Sequence, residues 1–262
     1  MKINTQAGIC LLLAILFNLA AAHNTYAGEY QCSGSLATDM ENIKRARSIT
    51  QGTFVRFDKN TLKFEGHIER GTYAKYLEAI DCEVKTMIIN SPGGDTYDGV
   101  RIGLDMAKRN IDVIVDGVAG SSAANYLFNA GKSKTICRGF VGFHGNAGAV
   151  KEDRKAFARS FRAFSAKAGA SSEQIAKTLQ EFMKVKDETV KLEKEFFIKL
   201  SISQKLFAVT QKESKGLAPE LNLKFEFLLP SVKTMEKFGI RNVEGRQDVE
   251  LAERLGLSVI YY

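Results

Sequence analysis

Between Thr53 and Glu65 the chain reads TFVRFDKNTLKFE, with apolar and polar positions alternating except around Asp58, Lys59 and Asn60. That alternation predicts a hairpin or two short strands with turn residues between them. A helix is expected to follow from Thr72 to Ile80. Beyond Cys82 the texture becomes a regular succession of strands and helices. Val84 to Asn90 reads as a buried strand, Ser91-Pro92-Gly93-Gly94 as a turn, and Thr96 to Arg109 as a helix. Ile111 to Val118 is the next strand, Ser122 to Asn129 the next helix, and Thr135 to His144 supplies one or two further strands. Alternating strands and helices imply a layered α/β fold.

After Gly148 long charged helices are expected across residues 151 to 200. Phe157, Phe161 and Phe164 fall at i, i+4 and i+7 and form one apolar stripe on a basic segment. Ser171 with Gln174 resembles a capping box ahead of Ile175, Leu179 and Phe182. These helices are expected to dock on the core or on another subunit. Their basic face, with Lys151, Arg154, Lys155, Arg159 and Arg162, is expected to be solvated rather than to bind nucleic acid.

The N-terminus has a different pattern. Lys2 precedes an uncharged, mostly apolar run from Ile9 to Ala22, and small residues follow at Ala20, Ala22 and Ala27. This is the form of a secretory signal peptide, cleaved after Ala22 or Ala27, and the run is short for a membrane-spanning helix of roughly 20 residues. Residues 28–262 are then expected as one exported domain, periplasmic or secreted, with no stable membrane anchor.

Composition alters this picture only slightly. The 262 residues are 45% hydrophobic and 26% charged with 3 Pro, ordinary values for a globular protein. Loss of residues 1–27 would leave 36 basic and 30 acidic side chains, a modest excess that favours anionic partners without naming one. Cys32, Cys82 and Cys137 would survive cleavage, and an oxidising compartment permits one bridge among them; spacing leaves the pair open. No group of Cys, His and Asp has metal-ligand spacing, so neither zinc nor another cofactor is expected.

Three features could carry chemistry. Ser122 is reached through Gly117-Val118-Ala119-Gly120-Ser121 and opens a helix beginning Ala123-Ala124. A hydroxyl there sits beside free amide N–H groups and the positive end of the helix dipole, although serine is also a preferred N-cap. Gly93-Gly94, directly after a buried strand, lets backbone approach a ligand and leaves amides free, as an oxyanion hole requires. His144, in Gly142-Phe143-His144-Gly145, can take a serine proton and return it to a leaving group. Each feature alone has an ordinary structural explanation; their order along the chain carries the reading.

That order, Ile89-Asn90-Ser91-Pro92-Gly93-Gly94, then Ser122, Ala130-Gly131 and Phe143-His144, resembles the Clp protease proteolytic subunit family within the ClpP/crotonase superfamily. The likeness runs from Leu62-Lys63-Phe64-Glu65-Gly66 to Pro230-Ser231 and Phe238-Gly239-Ile240, and is nearest to exported bacterial ClpP-like proteins. It implies a fold of repeated strand-strand-helix units with long helices in the C-terminal half. It also implies Ser122 as nucleophile, His144 as general base, and Gly94 and Ala123 as donors of oxyanion N–H groups. Counting forward from Gly117 favours Ser121, and counting back from Ala130-Gly131 favours Ser122; the helix fixes the geometry more tightly, so Ser122 is chosen. Where the family places the third catalytic residue, an Asp, this chain has Lys224-Phe225-Glu226-Phe227-Leu228-Leu229; Glu226, one residue out of register, is the nearby carboxylate that could orient the His144 imidazole as that Asp does, or be an exposed strand residue. The expected activity is hydrolysis of a peptide or protein substrate through an acyl-enzyme, in a chain able to form homo-oligomers. The competing readings are a noncatalytic scaffold on the same fold and crotonase-type chemistry on a coenzyme A thioester, whose cytosolic substrate conflicts with export.

Overall fold

The description covers residues 30, 32, 34–148, 154–208 and 227–262 of a computed structural model. The expected leader and Glu226 lie outside the described residues.

The Thr53–Glu65 alternation forms β1 (Thr53–Arg56) and β2 (Thr61–Glu65), an antiparallel pair whose turn is held by Asn60 N–H donating to Asp58 Oδ1 at 2.7 Å. Then α1 (Leu36–Ser48), which precedes them, α2 (Thr72–Ala79), β3 (Thr86–Ser91), α3 (Thr96–Arg109) and β4 (Asp112–Gly120) complete the first half. Next come α4 (Ala123–Phe128), wound as a π-helix, and β5 (Lys134–Gly142). The long helices are α5 (Arg154–Lys167) and α6 (Ser172–Leu200). The C-terminal part adds β6 (Phe227–Leu229), α7 (Val232–Lys237), β7 (Val243–Gly245), α8 (Val249–Arg254) and β8 (Val259–Tyr261).

The fold is α/β. Six strands pair in the order β1-β2-β3-β4-β5-β7, parallel from β2 onward, and β6 pairs with β8 in a separate parallel ribbon. Because the order follows the chain, the loops after β3, β4 and β5 leave side by side at one end of the sheet. Parallel strands need both faces covered. On one face Phe64, Ile89, Val115 and Val141 pack with Val100, Tyr126 and Phe196 from the helices. On the other, Val118 and Phe140 meet Ile43 of α1 and Leu251 and Ala252 of α8.

The chain before the first strand is tied to the sheet's second face by polar groups. Arg138 on β5 pairs with Asp116 at 2.6 Å and Asp39 at 3.2 Å, and the Tyr30 hydroxyl also reaches Asp116. Cys32 and Cys137 are disulfide-bonded across 105 positions, leaving Cys82 free and exposed. Closing so long a loop contributes about 2–4 kcal/mol of stability. Beside this cluster the β4–β5 register shifts at Asp116, and Gly117 (φ +126°) lies against Asn90, whose side-chain oxygen would be 2.3 Å from any added Cβ. Asn90 Oδ1 accepts the Val118 N–H at 3.1 Å there, so glycine is required at 117.

The capping box forms as expected: Gln174 N–H donates to Ser171 Oγ at 3.2 Å and Ser171 N–H to Gln174 Oε1 at 2.8 Å. Phe157 stacks on Phe182 with centroids 4.9 Å apart, which joins α5 to α6, while Phe164 remains 74% exposed. The last two turns of α6 enter the core through Phe196 and Phe197. No helix among the described residues is long and apolar enough to cross a membrane.

Candidate active site

β4 extends to Gly120, past the Val118 expected as its last residue, because Gly120 pairs with Gly142 on β5 and Ser121 N–H continues to the Gly142 carbonyl at 2.9 Å. Ser121 turns the chain from strand to helix in a left-handed conformation, φ +52°, which is costly for any residue with a side chain. Ser122 follows at φ −60°, ψ −29°, already helical.

The hydroxyl of Ser122 does not cap the helix. It donates to the Gly94 carbonyl at 2.8 Å, and the residue is 3% exposed. The Pro-Gly-Gly turn therefore lies directly against the start of α4. Gly94 (φ +142°) bridges to Ile68, and an added Cβ would lie 2.1 Å from the Ile68 carbonyl oxygen. Ile68 N–H donates to Gly93 and Asp95 N–H donates back to Ile68, so the neighbours of the Gly94 amide are engaged while the Gly94 N–H itself has no partner among the described residues. Ala123, fully buried, supplies a first-turn amide, which a helix leaves without an internal partner.

His144 sits two residues beyond the end of β5 rather than on the strand. Phe143 exchanges both backbone hydrogen bonds with Leu228, at 2.9 and 2.7 Å, so β6 forms the adjoining wall. The Phe227 ring from that wall lies over Gly120 and Gly142 and stacks with the imidazole, centroids 6.2 Å apart and planes at 25°. The imidazole edge is open to solvent, but the protein packed around its other sides withdraws water and pushes its pKa below the ordinary histidine value, against an opposing hydrogen bond to Gly145. That bond joins His144 Nδ1 to the Gly145 carbonyl at 3.1 Å. A carbonyl only accepts, so the bond requires the proton on Nδ1 and leaves the Nε2 lone pair free to act as a base.

Sequence reading did not find the residues that hold this loop. Asn125, in the first turn of α4, directs Nδ2 to the carbonyls of His144 and Gly145, each at 3.4 Å. Glu193 on α6, 1% exposed, accepts the Ala147 N–H at 3.0 Å, the Gly148 N–H at 2.7 Å and the Tyr126 hydroxyl. Burial raises the Glu193 pKa above the usual carboxylate range, and the hydrogen bonds it accepts pull the other way. Glu193 lies within a run of charge, Lys191-Leu192-Glu193-Lys194-Glu195, that reads as a solvated surface. The available signal was its spacing, four after Thr189 and three before Phe196, on the helix face that turns out to be buried.

The expected serine, glycine turn, first-turn amide and histidine thus meet at one end of the sheet. No hydrogen bond links Ser122 to His144; each has a backbone carbonyl as its partner. No group of three metal-ligating side chains occurs among the described residues. No protein-family model matches the chain, and no curated protein matches it.

Proposed function

We propose that the chain is an exported serine hydrolase of the ClpP-like type, cleaving a peptide or protein substrate through an acyl-enzyme on Ser122. The observation that carries this reading is the Ser122 to Gly94 hydrogen bond at 2.8 Å, which joins a helix-start hydroxyl to the glycine turn beside a histidine whose Nε2 is free. In the first step Oγ leaves the Gly94 carbonyl, gives its proton to His144 Nε2 and bonds to the substrate carbonyl carbon. The oxygen that becomes anionic is received by the N–H groups of Gly94 and Ala123. Collapse breaks the C–N bond, and the amine departs with the proton from His144. Water, deprotonated by the same nitrogen, then hydrolyses the ester and restores Ser122.

A fluorophosphonate probe tests this on the full chain. Ser122→Ala and His144→Ala should each abolish labelling. Labelling that survives Ser122→Ala and disappears in Ser121→Ala would transfer the nucleophile to Ser121, the half-buried residue at the left-handed turn before the helix. No labelling of the unmodified chain would favour the noncatalytic scaffold.

A further inference from the structure

Serine hydrolases usually orient the base with a carboxylate on the far imidazole nitrogen. In this chain that nitrogen, Nδ1 of His144, is occupied by the Gly145 carbonyl. The carbonyl can orient the ring only if the loop that carries it is rigid. Its supports are few and specific. Asn125 grips the loop at residues 144 and 145, Asn146 Nδ2 donates to Gln204 at 3.2 Å, and Glu193 takes the two amides at 147 and 148.

Glu193 is the unusual member of this set. It is a carboxyl group withdrawn from water, with no cationic partner among the described residues, and its oxygens are used on two loop amides and a tyrosine hydroxyl. An isolated buried carboxyl group is expensive for the fold unless its hydrogen bonds are all made. Loss of that acceptor would leave the Ala147 and Gly148 N–H groups without their partner and free the loop end three residues from the imidazole.

From this we infer that Glu193 is a positioning residue for His144: by fixing Ala147 and Gly148 it holds the Gly145 carbonyl on Nδ1, and so presents Nε2 as the base. The inference rests on the proposed role of His144, but its physical content is the state of one imidazole, which can be read without any activity.

The test is 15N NMR of histidine in the full-length protein, the His144 signals being assigned by their loss in His144→Ala. Above its titration the wild-type ring should be the Nδ1–H tautomer. In Glu193→Ala the Nε2–H tautomer, which an unconstrained imidazole prefers, should become dominant, with Glu193→Gln intermediate because one acceptor oxygen remains. Lys134→Met, at the far end of the sheet, should leave the tautomer as in wild type. Fluorophosphonate labelling should fall in Glu193→Ala, by less than the loss of the base itself. The inference is overturned if folded Glu193→Ala keeps the Nδ1–H tautomer, or if wild-type His144 is Nε2–H. The second result needs no variant to fold. A tautomer shift in a protein that never labels would uphold the positioning role and remove the hydrolase reading instead.

Discussion

The two ends of the sheet each contain a buried ionisable side chain with no opposite charge paired to it among the described residues, and they use it in opposite ways. At the end carrying Ser122 and His144, Glu193 accepts hydrogen bonds from amides of a loop. At the other end Lys134, 5% exposed, donates to the carbonyls of Gly131 at 2.6 Å and Arg241 at 3.0 Å. Lys134 lies where α3, α4 and α6 terminate, beside Asn110, Asn129 and Leu200, and helix C-termini favour a cation. Burial lowers its pKa from 10.5 to about 8. The cation therefore serves packing, joining the end of one helix to a distant turn, whereas the carboxyl holds the loop that follows His144, the base of the proposed reaction. A charge stranded in a core is not by itself a sign of a catalytic site; what it holds decides its role.

If that division is right, variants at the two ends should separate activity from stability. The largest effect is expected for His144→Ala. Its labelling should be lost, a fall in rate of at least about a hundredfold, while its midpoint of thermal unfolding should change little because the residue is exposed. Lys134→Met should label at the wild-type rate. A variant of Lys134 that lost labelling while remaining folded would break the distinction between the two ends.

The next effect is one of pH. The folded protein holds Lys134 with a pKa of about 8, and the unfolded chain releases that proton near 10.5. Between those values the unfolded state binds more protons, so this group's contribution to stability rises with pH, is complete above 10.5, and is lost as pH falls through about 8. The wild type should gain on the order of 2–3 kcal/mol from this group across that window. Lys134→Met lacks the rise and leaves two carbonyls unpaired. Denaturant unfolding should show its deficit widening from pH 7.5 to pH 10, whereas a constant deficit would mean that Lys134 is not held as a depressed base.

The same contrast explains what could be read from the chain before its structure. Strands β1 to β4 and helices α2 and α3 follow from local pattern: β2 buries alternate positions, β3 and the second half of β4 are apolar runs buried almost continuously, α2 and α3 bury residues at helical spacing, and β1 alternates although it lies mostly exposed. Ser122, Gly94 and His144 come together because the ends of adjacent parallel strands bring them together. The supports of the site were not legible. Asn125 and Glu193 act through hydrogen bonds to backbone 19 to 46 positions away, and no local pattern encodes such a partner. The disulfide was undecided for the same reason, since the choice of Cys137 for Cys32 depends on where α1 lies against β4 and β5. Helix α1 and the elements after β6 are short or weakly periodic, and their packing depends on the sheet already being in place.

The smallest expected effect separates the two halves of α6, the helix that reaches the Ser122 end of the sheet through Glu193. Its C-terminal part is core: Phe196 is fully buried against Tyr126, and Phe196→Ala should cost about 3–5 kcal/mol. Its N-terminal part contacts α5, where the Phe157 and Phe182 rings stack but Phe164 projects into solvent, 74% exposed. An exposed ring buries little area on folding, so Phe164→Ser should change monomer stability by less than about 0.5 kcal/mol. The alternation that makes Phe164 part of an apolar stripe would then describe only half a packing face, completed at Phe157 and left open at Phe164. A loss of more than about 1 kcal/mol on Phe164→Ser, measured at a protein concentration low enough to exclude association, would mean that the stripe is covered within the monomer. The same loss appearing only at high concentration would assign the cover to a second copy of the chain, and would extend the structural role of α6 beyond the core to the helix pair that projects from it.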